Sequence, residues 1–271
     1  MTTTRVALVG GTGKLGRIIR AVIDESDDFE VAAVLGSSSR LADLDGTDLV
    51  VDASTPAVSI DVVRAAIERG INVLVGTSGW SAERIALVRP LVEAADTGAV
   101  FIPNFSLGSV IGSALAAAAA PLFPSAEIVE THRETKVDSP SGTAVRTAEL
   151  IAAARSDVGP VESPHVDQRA RGQQVASVPV HSLRRPGVVA RQETILSGPG
   201  ESLTIVHDTI DPSAAYAPGI RIALAAARTA RGVVVGLDSF IDIGLRTPHP
   251  REDAPVGEGA VTGQVAGTTG A

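Results

Sequence analysis

The chain has 271 residues, 44% of them hydrophobic and 20% charged: enough apolar material for one large or two modest globular domains, and too much for a chain disordered throughout. Its 23 Lys and Arg against 31 Asp and Glu leave a formal charge of −8, and one Trp, one Tyr and five Phe offer few stacking platforms, so no nucleic-acid partner is expected. Cysteine is absent, which excludes disulfides, thiolate catalysis and Cys-based zinc or iron–sulfur sites and is compatible with a reducing cytoplasm.

The first element is a strand, RVALVG, that runs into a Gly-rich loop too soon for a secretory hydrophobic region. EVAAVL, DLVVDAS, INVLVG and AVFIPN are further β-branched runs. The segments between them, Lys14 to Asp24, Pro56 to Arg69 and Ser81 to Ala95, carry apolar residues at helical spacing. Strand and helix in alternation predict a parallel α/β unit. An Ala-rich helix follows around Val110 to Leu122, interrupted by Gly112, Ser113 and Pro121 and too short to cross a membrane. The texture then changes to longer alternating runs, EIVETHR, VASVPVHSLR, VVARQETILS and ESLTIVHDT, which read as antiparallel or mixed strands, with a hairpin connection at Ser197 to Glu201. A helix over about Ala214 to Ala230 and the run VVVGL rejoin the first unit. The expected fold is α/β: a Rossmann-type doubly wound parallel sheet plus a second α+β domain. Residues 1–104 and 217–245 form the first domain and 105–216 the second. Residues 246–271, rich in Pro, Gly and Thr without an apolar period, are expected to be a disordered tail.

The loop after the first strand has the spacing GxxGxxG at Gly10, Gly13 and Gly16. These suit a tight turn, close approach of backbone to a pyrophosphate, and close packing of helix on strand; the alternative is a ligand-free turn. About twenty residues on, where dinucleotide folds often carry an acidic residue for the ribose, stand Leu35 and Gly36. Ser37, Ser38, Ser39 and Arg40 follow, and hydroxyls with a guanidinium suit a 2′-phosphate. NADPH is therefore expected over NADH, with a solvated polar loop as the alternative. Two further loops, Gly76-Thr77-Ser78-Gly79 and Pro103-Asn104-Phe105-Ser106, follow later strand ends, the edge at which such a sheet holds its cofactor.

The stretch from Glu130 to Thr143, ETHRETKVDSPSGT, carries the second constellation. Strand alternation puts Glu130 and His132 on one face, and Lys136 leaves the strand end. Ser141, Gly142 and Thr143 open a helix whose bare amides and hydroxyls suit a substrate carboxylate, with Lys136 as counter-charge. The alternative is simple capping by Ser141 or Thr143, with His132 and Lys136 as surface residues.

Taken in order, the Gly-rich loop, VGTSGW, IPNFSLG and ETHRETKVDSPSGTA resemble the dihydrodipicolinate reductase family, and the similarity runs on through RARG, VPVHSLR, GPGESLTIVHD and YAPGI to about residue 244. The resemblance implies reduction of 4-hydroxy-tetrahydrodipicolinate by NAD(P)H in lysine and diaminopimelate biosynthesis, in a cytoplasmic homotetramer assembled through the second sheet, with no metal. It implies proton donation by His132 and Lys136, and substrate anchorage by Ser141, Gly142 and Thr143. It implies cofactor contacts from Gly10, Gly11, Thr12, Gly13, Lys14 and Leu15, from Gly76, Thr77 and Ser78, and from Ile102, Pro103, Asn104 and Phe105. The chain departs from the family where Arg133 replaces a second adjacent histidine, although its guanidinium can still hold a dicarboxylate substrate. Arg191 replaces another histidine, and Asp211-Pro212-Ser213 stands in a segment that usually reads DRSSF. Arg133 motivates one alternative, a related oxidoreductase acting on another small carboxylate; a catalytically silent NADP-binding regulator is a second, against which His132 and Lys136 argue, and a purely structural oligomer a third, against which the polar loops at the strand ends argue.

Overall fold

The computed structural model describes residues 2–244; the expected disordered tail lies outside them. Six parallel strands form the first sheet: β1 (Thr4–Val9), β2 (Phe29–Leu35), β3 (Leu49–Asp52), β4 (Asn72–Val75), β5 (Gly98–Phe101) and β11 (Gly232–Val235), in the order β11-β5-β4-β3-β1-β2. β3, β4 and β5 are buried along their whole length, which is why their sequences read as continuous apolar runs. One face carries α1 (Lys14–Asp24) and α6 (Pro212–Thr229), with Ile19, Ile23, Ile220 and Leu224 packed on Val6, Leu8, Val51 and Val100. The other carries α2 (Pro56–Glu68) and α3 (Ala82–Ala94), where Val62, Val63, Ile85 and Val88 meet Ala7, Val50, Val73 and Phe101. Helices on both faces of a parallel sheet make this unit doubly wound. The strand order reverses between β1 and β3, so the crevice at their C-terminal ends is a topological switch point.

The return of the chain to this sheet is fastened by Asn72. Its amide nitrogen donates to Ala227 O at 2.9 Å, Ala230 O at 3.1 Å and Arg228 O at 3.3 Å, and its Oδ1 accepts from Gly98 N at 2.8 Å. One buried side chain thereby ties the end of α6 to β4 and β5, and β11 can pair with β5 in parallel from Gly232↔Gly98 to Val235↔Phe101.

The second sheet has five strands: β6 (Ser125–His132), β7 (Gln173–Val175), β8 (Val178–Arg184), β9 (Ala190–Gly198) and β10 (Glu201–Thr209), in the order β10-β9-β6-β8-β7. It is mixed, because β6 runs parallel to β8 and antiparallel to β9. Helices α4 (Leu107–Ala119) and α5 (Gly142–Ala154) cover one face, where Ala116, Ala144 and Ala148 let them come down on Ile128, Val180 and Leu196. The run VASVPVHSLR, read as one strand, is a hairpin: Ala176 and Ser177 take φ of 48° and 74°, and Val175 faces Val178 across the turn. Two consecutive left-handed residues match the twist of a two-residue connection, and neither is the Gly or Asn that would have flagged it in the sequence.

Candidate active site

At the switch point, Gly10 has φ of 79°, and a Cβ there would stand 2.4 Å from Ala53 O. Gly16 is packed as closely, since a Cβ on it would lie 2.2 Å from Gly10 O. The turn closes through Gly13 N donating to Gly10 O at 3.0 Å. Helix α1 then starts at Lys14 with Gly13 in the cap position and no side chain on its first amides. An uncapped helix N-terminus lined by backbone is a cradle for an anion, and Gly10, Gly11, Thr12, Gly13, Lys14 and Leu15 form it. A dinucleotide pyrophosphate fits this loop on that observation.

Thr77 is buried and donates from Oγ1 to Asp52 O at 3.3 Å, and Gly76 N donates to the same carbonyl at 2.9 Å. A Cβ at Gly76 would press on the Phe105 ring at 2.9 Å and on Leu15 at 3.0 Å. The loops at 10–15, 76–78 and 102–105 are therefore in mutual contact at one sheet edge. Ile102 and Phe105 belong to the core. Ser37 and Arg40 lie outside that cluster, exposed on the turn after β2. Ser39 Oγ accepts from Gly36 N at 3.0 Å to shape this turn, and the Arg40 guanidinium stands 3.8 Å from Asp43. Beneath the loops, the fully buried Asp52 accepts from Ser54 N at 3.0 Å and from the Ser54 and Ser59 hydroxyls, and Trp80 Nε1 donates to Ser59 Oγ at 2.8 Å. Asp52 was not singled out in the sequence, although a lone carboxylate ending an apolar strand was there to be noticed.

Asn104 links this edge to the second constellation. Its amide nitrogen donates to Thr143 Oγ1 and to Ser109 Oγ, both at 3.0 Å, while its Oδ1 accepts from Ser106 N at 2.9 Å. Ser141 caps α5, its hydroxyl accepting from Ala144 N at 3.2 Å. Simple capping by Ser141 is thus realised, with Thr143 and the exposed Gly142 in the next turn. His132, Ser141, Thr143 and Asn104 line one cavity of about 60 Å³, together with Gln192, His207 and Tyr216.

Glu130 lies behind His132 with a side chain of 0% exposure. Its Oε2 meets His132 Nδ1 at 2.6 Å and Arg184 Nη1 at 2.8 Å; its Oε1 accepts from Arg184 Nη2 at 2.9 Å and Ser141 N at 3.1 Å. Burial would raise the Glu130 pKa, but hydrogen bonds from His132 and Arg184 outweigh it and hold the carboxyl at about 2. Sequence alternation placed Glu130 beside His132, but Arg184 arrives only through the parallel pairing His132↔Arg184.

Lys136 is not among the residues lining the cavity. Its Nζ donates to both oxygens of Asp138, at 2.8 and 2.6 Å, and this pairing, against the cost of burial, lowers the Asp138 pKa. Arg133 is exposed, and its charge partly offsets the burial that raises the Tyr216 pKa. His207 comes from β10, with Nε2 at 3.2 Å from Ser106 Oγ, and burial pushes its pKa down. His207, Tyr216, Gln192 and Arg184 were not predicted as site residues. Each comes from a strand or helix distant in sequence, so only the topology brings it to the cavity. Among the described residues no group of acidic and histidine side chains could hold a metal ion, and no helix is long and apolar enough to cross a membrane.

Comparison with known proteins agrees with this architecture. Residues 4–105 match the family model described as dihydrodipicolinate reductase, N-terminus, and residues 108–241 match dihydrodipicolinate reductase, C-terminus. The chain is 54% identical over 277 residues to a 4-hydroxy-tetrahydrodipicolinate reductase of Clavibacter sepedonicus, covering 99% of this chain and 100% of that protein. It is 40% identical to one from Streptomyces griseus, covering 90% and 100%. A solved dipicolinate-bound dihydrodipicolinate reductase from Paenisporosarcina sp. TG-14 superposes with a TM-score of 0.75 at 26% identity, over 89% of this chain and 100% of that one. With both family models matched along 4–241 and relatives above 30% identity along nearly its whole length, the chain belongs to the dihydrodipicolinate reductase family.

Proposed function

We propose that the chain reduces 4-hydroxy-tetrahydrodipicolinate to tetrahydrodipicolinate with a nicotinamide cofactor, in lysine and diaminopimelate biosynthesis, at the cavity between the two sheets. The observation that carries this reading is the convergence of His132, Ser141 and Thr143 on one cavity whose wall, Asn104, belongs to the loop cluster expected to hold the cofactor. Gly10 to Leu15, Gly76 to Ser78 and Ile102 to Phe105 hold that cofactor, and when bound it supplies a hydride to the substrate ring. Ser37 and Arg40, exposed where the ribose is expected, favour NADPH over NADH.

Reduction of the dehydrated ring also consumes one proton. His132 is placed to give it, because Glu130 occupies Nδ1 and leaves Nε2 as the remaining polar atom of a ring that lines the cavity. The first turn of α5, with Thr143 and Gly142, receives a substrate carboxylate. Lys136 completes the anchorage by exchanging Asp138 for the second carboxylate, and Arg133 replaces the missing histidine. A cavity of about 60 Å³ has the volume of roughly two waters, so a ring dicarboxylate enters only when the units 1–104 with 217–245 and 105–216 part; closure then excludes water.

The protein works as a cytoplasmic homotetramer built through the second sheet. Supporting this, α4 and α5 cover one face only, while Val129, Leu183, Ile195 and Val206 share the opposite face by strand register, with Leu183 and Val206 about half exposed. The site is tested by His132→Gln and Lys136→Ala: each should keep NADPH binding and lose about 100-fold or more in turnover. Near wild-type turnover in either variant would remove that residue from the mechanism.

A further inference from the structure

The buried Glu130 faces a partly exposed arginine, Arg184, and more besides. Its two oxygens meet four donors: His132 Nδ1, both terminal nitrogens of Arg184, and the amide of Ser141. These donors come from three elements: the end of β6, the end of β8 and the cap of α5. Arg184 extends the cluster, since Nη2 also donates to Asp138 O at 2.6 Å and Nε to Lys136 O at 3.3 Å. The turn carrying Lys136 is therefore fastened to the same carboxylate that fastens the imidazole and the first turn of the anion-binding helix.

We propose that Glu130, with Arg184, is the positioning residue of the reaction, one carboxylate setting the tautomer and orientation of His132 and the placement of both substrate-anchoring segments. The inference rests on the function proposed above. An ionised carboxylate can only accept, so His132 Nδ1 must carry a hydrogen and donate it. The mobile proton of the imidazole is then confined to Nε2, which loses it to substrate and regains it from solvent between turnovers. A neutral amide in place of Glu130 would set donor against donor toward Arg184, or release His132, or both.

The rival role, in which Glu130 serves only as a countercharge for Arg184, makes a different prediction. Once Arg184 is neutralised, a mere countercharge becomes dispensable; a positioning carboxylate does not. The test compares Arg184→Gln with the double variant Glu130→Gln/Arg184→Gln, both freed of the guanidinium. The double variant should turn over at least about 30-fold more slowly than Arg184→Gln, by analogy with the loss that follows when a buried carboxylate no longer sets a histidine tautomer, with NADPH affinity unchanged. Equal turnover of the two would overturn the proposal. Independently of any variant, nitrogen-15 spectra of the wild-type protein should show neutral His132 protonated at Nδ1, with a downfield proton from the short bond to Glu130. A neutral His132 protonated at Nε2 would overturn the proposal as well. A wild-type protein that fails to oxidise NADPH with 4-hydroxy-tetrahydrodipicolinate would instead refute the proposed function, while the tautomer measurement would still report on Glu130.

Discussion

Acidification should strip the protein of a definable part of its stability through Glu130. The folded carboxyl sits at about 2 against an ordinary 4.5, a gap of about 2.5 units, and at about 1.36 kcal/mol per unit this amounts to about 3 kcal/mol. Because the folded pKa is the lower one, this stability is fully present above the unfolded value and is lost as pH falls toward the folded one. By pH 3 about 2 kcal/mol of it should be gone. Glu127 and Asp138 also have lowered values, so the wild-type curve alone does not isolate Glu130. The informative quantity is the difference in unfolding free energy between wild type and Glu130→Gln, from urea titrations at pH 7, 5, 4 and 3. It should narrow by about 2 kcal/mol across that range, or roughly 1 M in urea midpoint for an m-value of about 2 kcal/mol per M. A difference that stays constant from pH 7 to pH 3 would mean that Glu130 is not held ionised by its partners.

Asn72→Asp should lower the melting temperature by about 6–12 °C, because the amide nitrogen that serves three carbonyls becomes an oxygen facing them, at a cost of about 3 kcal/mol. Turnover per folded molecule should stay near wild type, as this junction lies at the opposite sheet edge from the cavity. Gly16→Ala puts a Cβ 2.2 Å from Gly10 O and 2.7 Å from Gly11 Cα; calorimetric titration should show NADPH binding weakened by about 10-fold or more. His207 has a depressed pKa, so its neutral form stabilises the fold above its ordinary range near 6.5 and that contribution fades on acidification. The stability difference between wild type and His207→Asn should accordingly shrink between pH 7 and pH 5 in thermal melts.

The first sheet was legible because its strands are buried on both faces and its helices are amphipathic: Lys14 to Asp24 was expected and is observed as α1. The boundaries of the Ala-rich helix were less legible. It starts at Leu107, capped by Ser106, because Gly108, Ser109 and Gly112 hide a helical start behind residues of poor propensity. In the second sheet the strand runs were visible but their pairing was not. Nothing in VPVHSLR says that it runs parallel to EIVETHR, and that pairing alone delivers Arg184 to Glu130. Similarly, HxxxK suggests two side chains acting together, but not that Asp138, two residues on, pairs with the Lys136 ammonium.

The decisive measurement generates 4-hydroxy-tetrahydrodipicolinate in situ from pyruvate and aspartate semialdehyde with its synthase, then adds purified protein and follows NADPH and, separately, NADH absorbance. Oxidation should depend on the substrate, run faster with NADPH and be lost in His132→Gln. No oxidation above background with either cofactor, by a folded protein that binds NADPH, would contradict the proposed function.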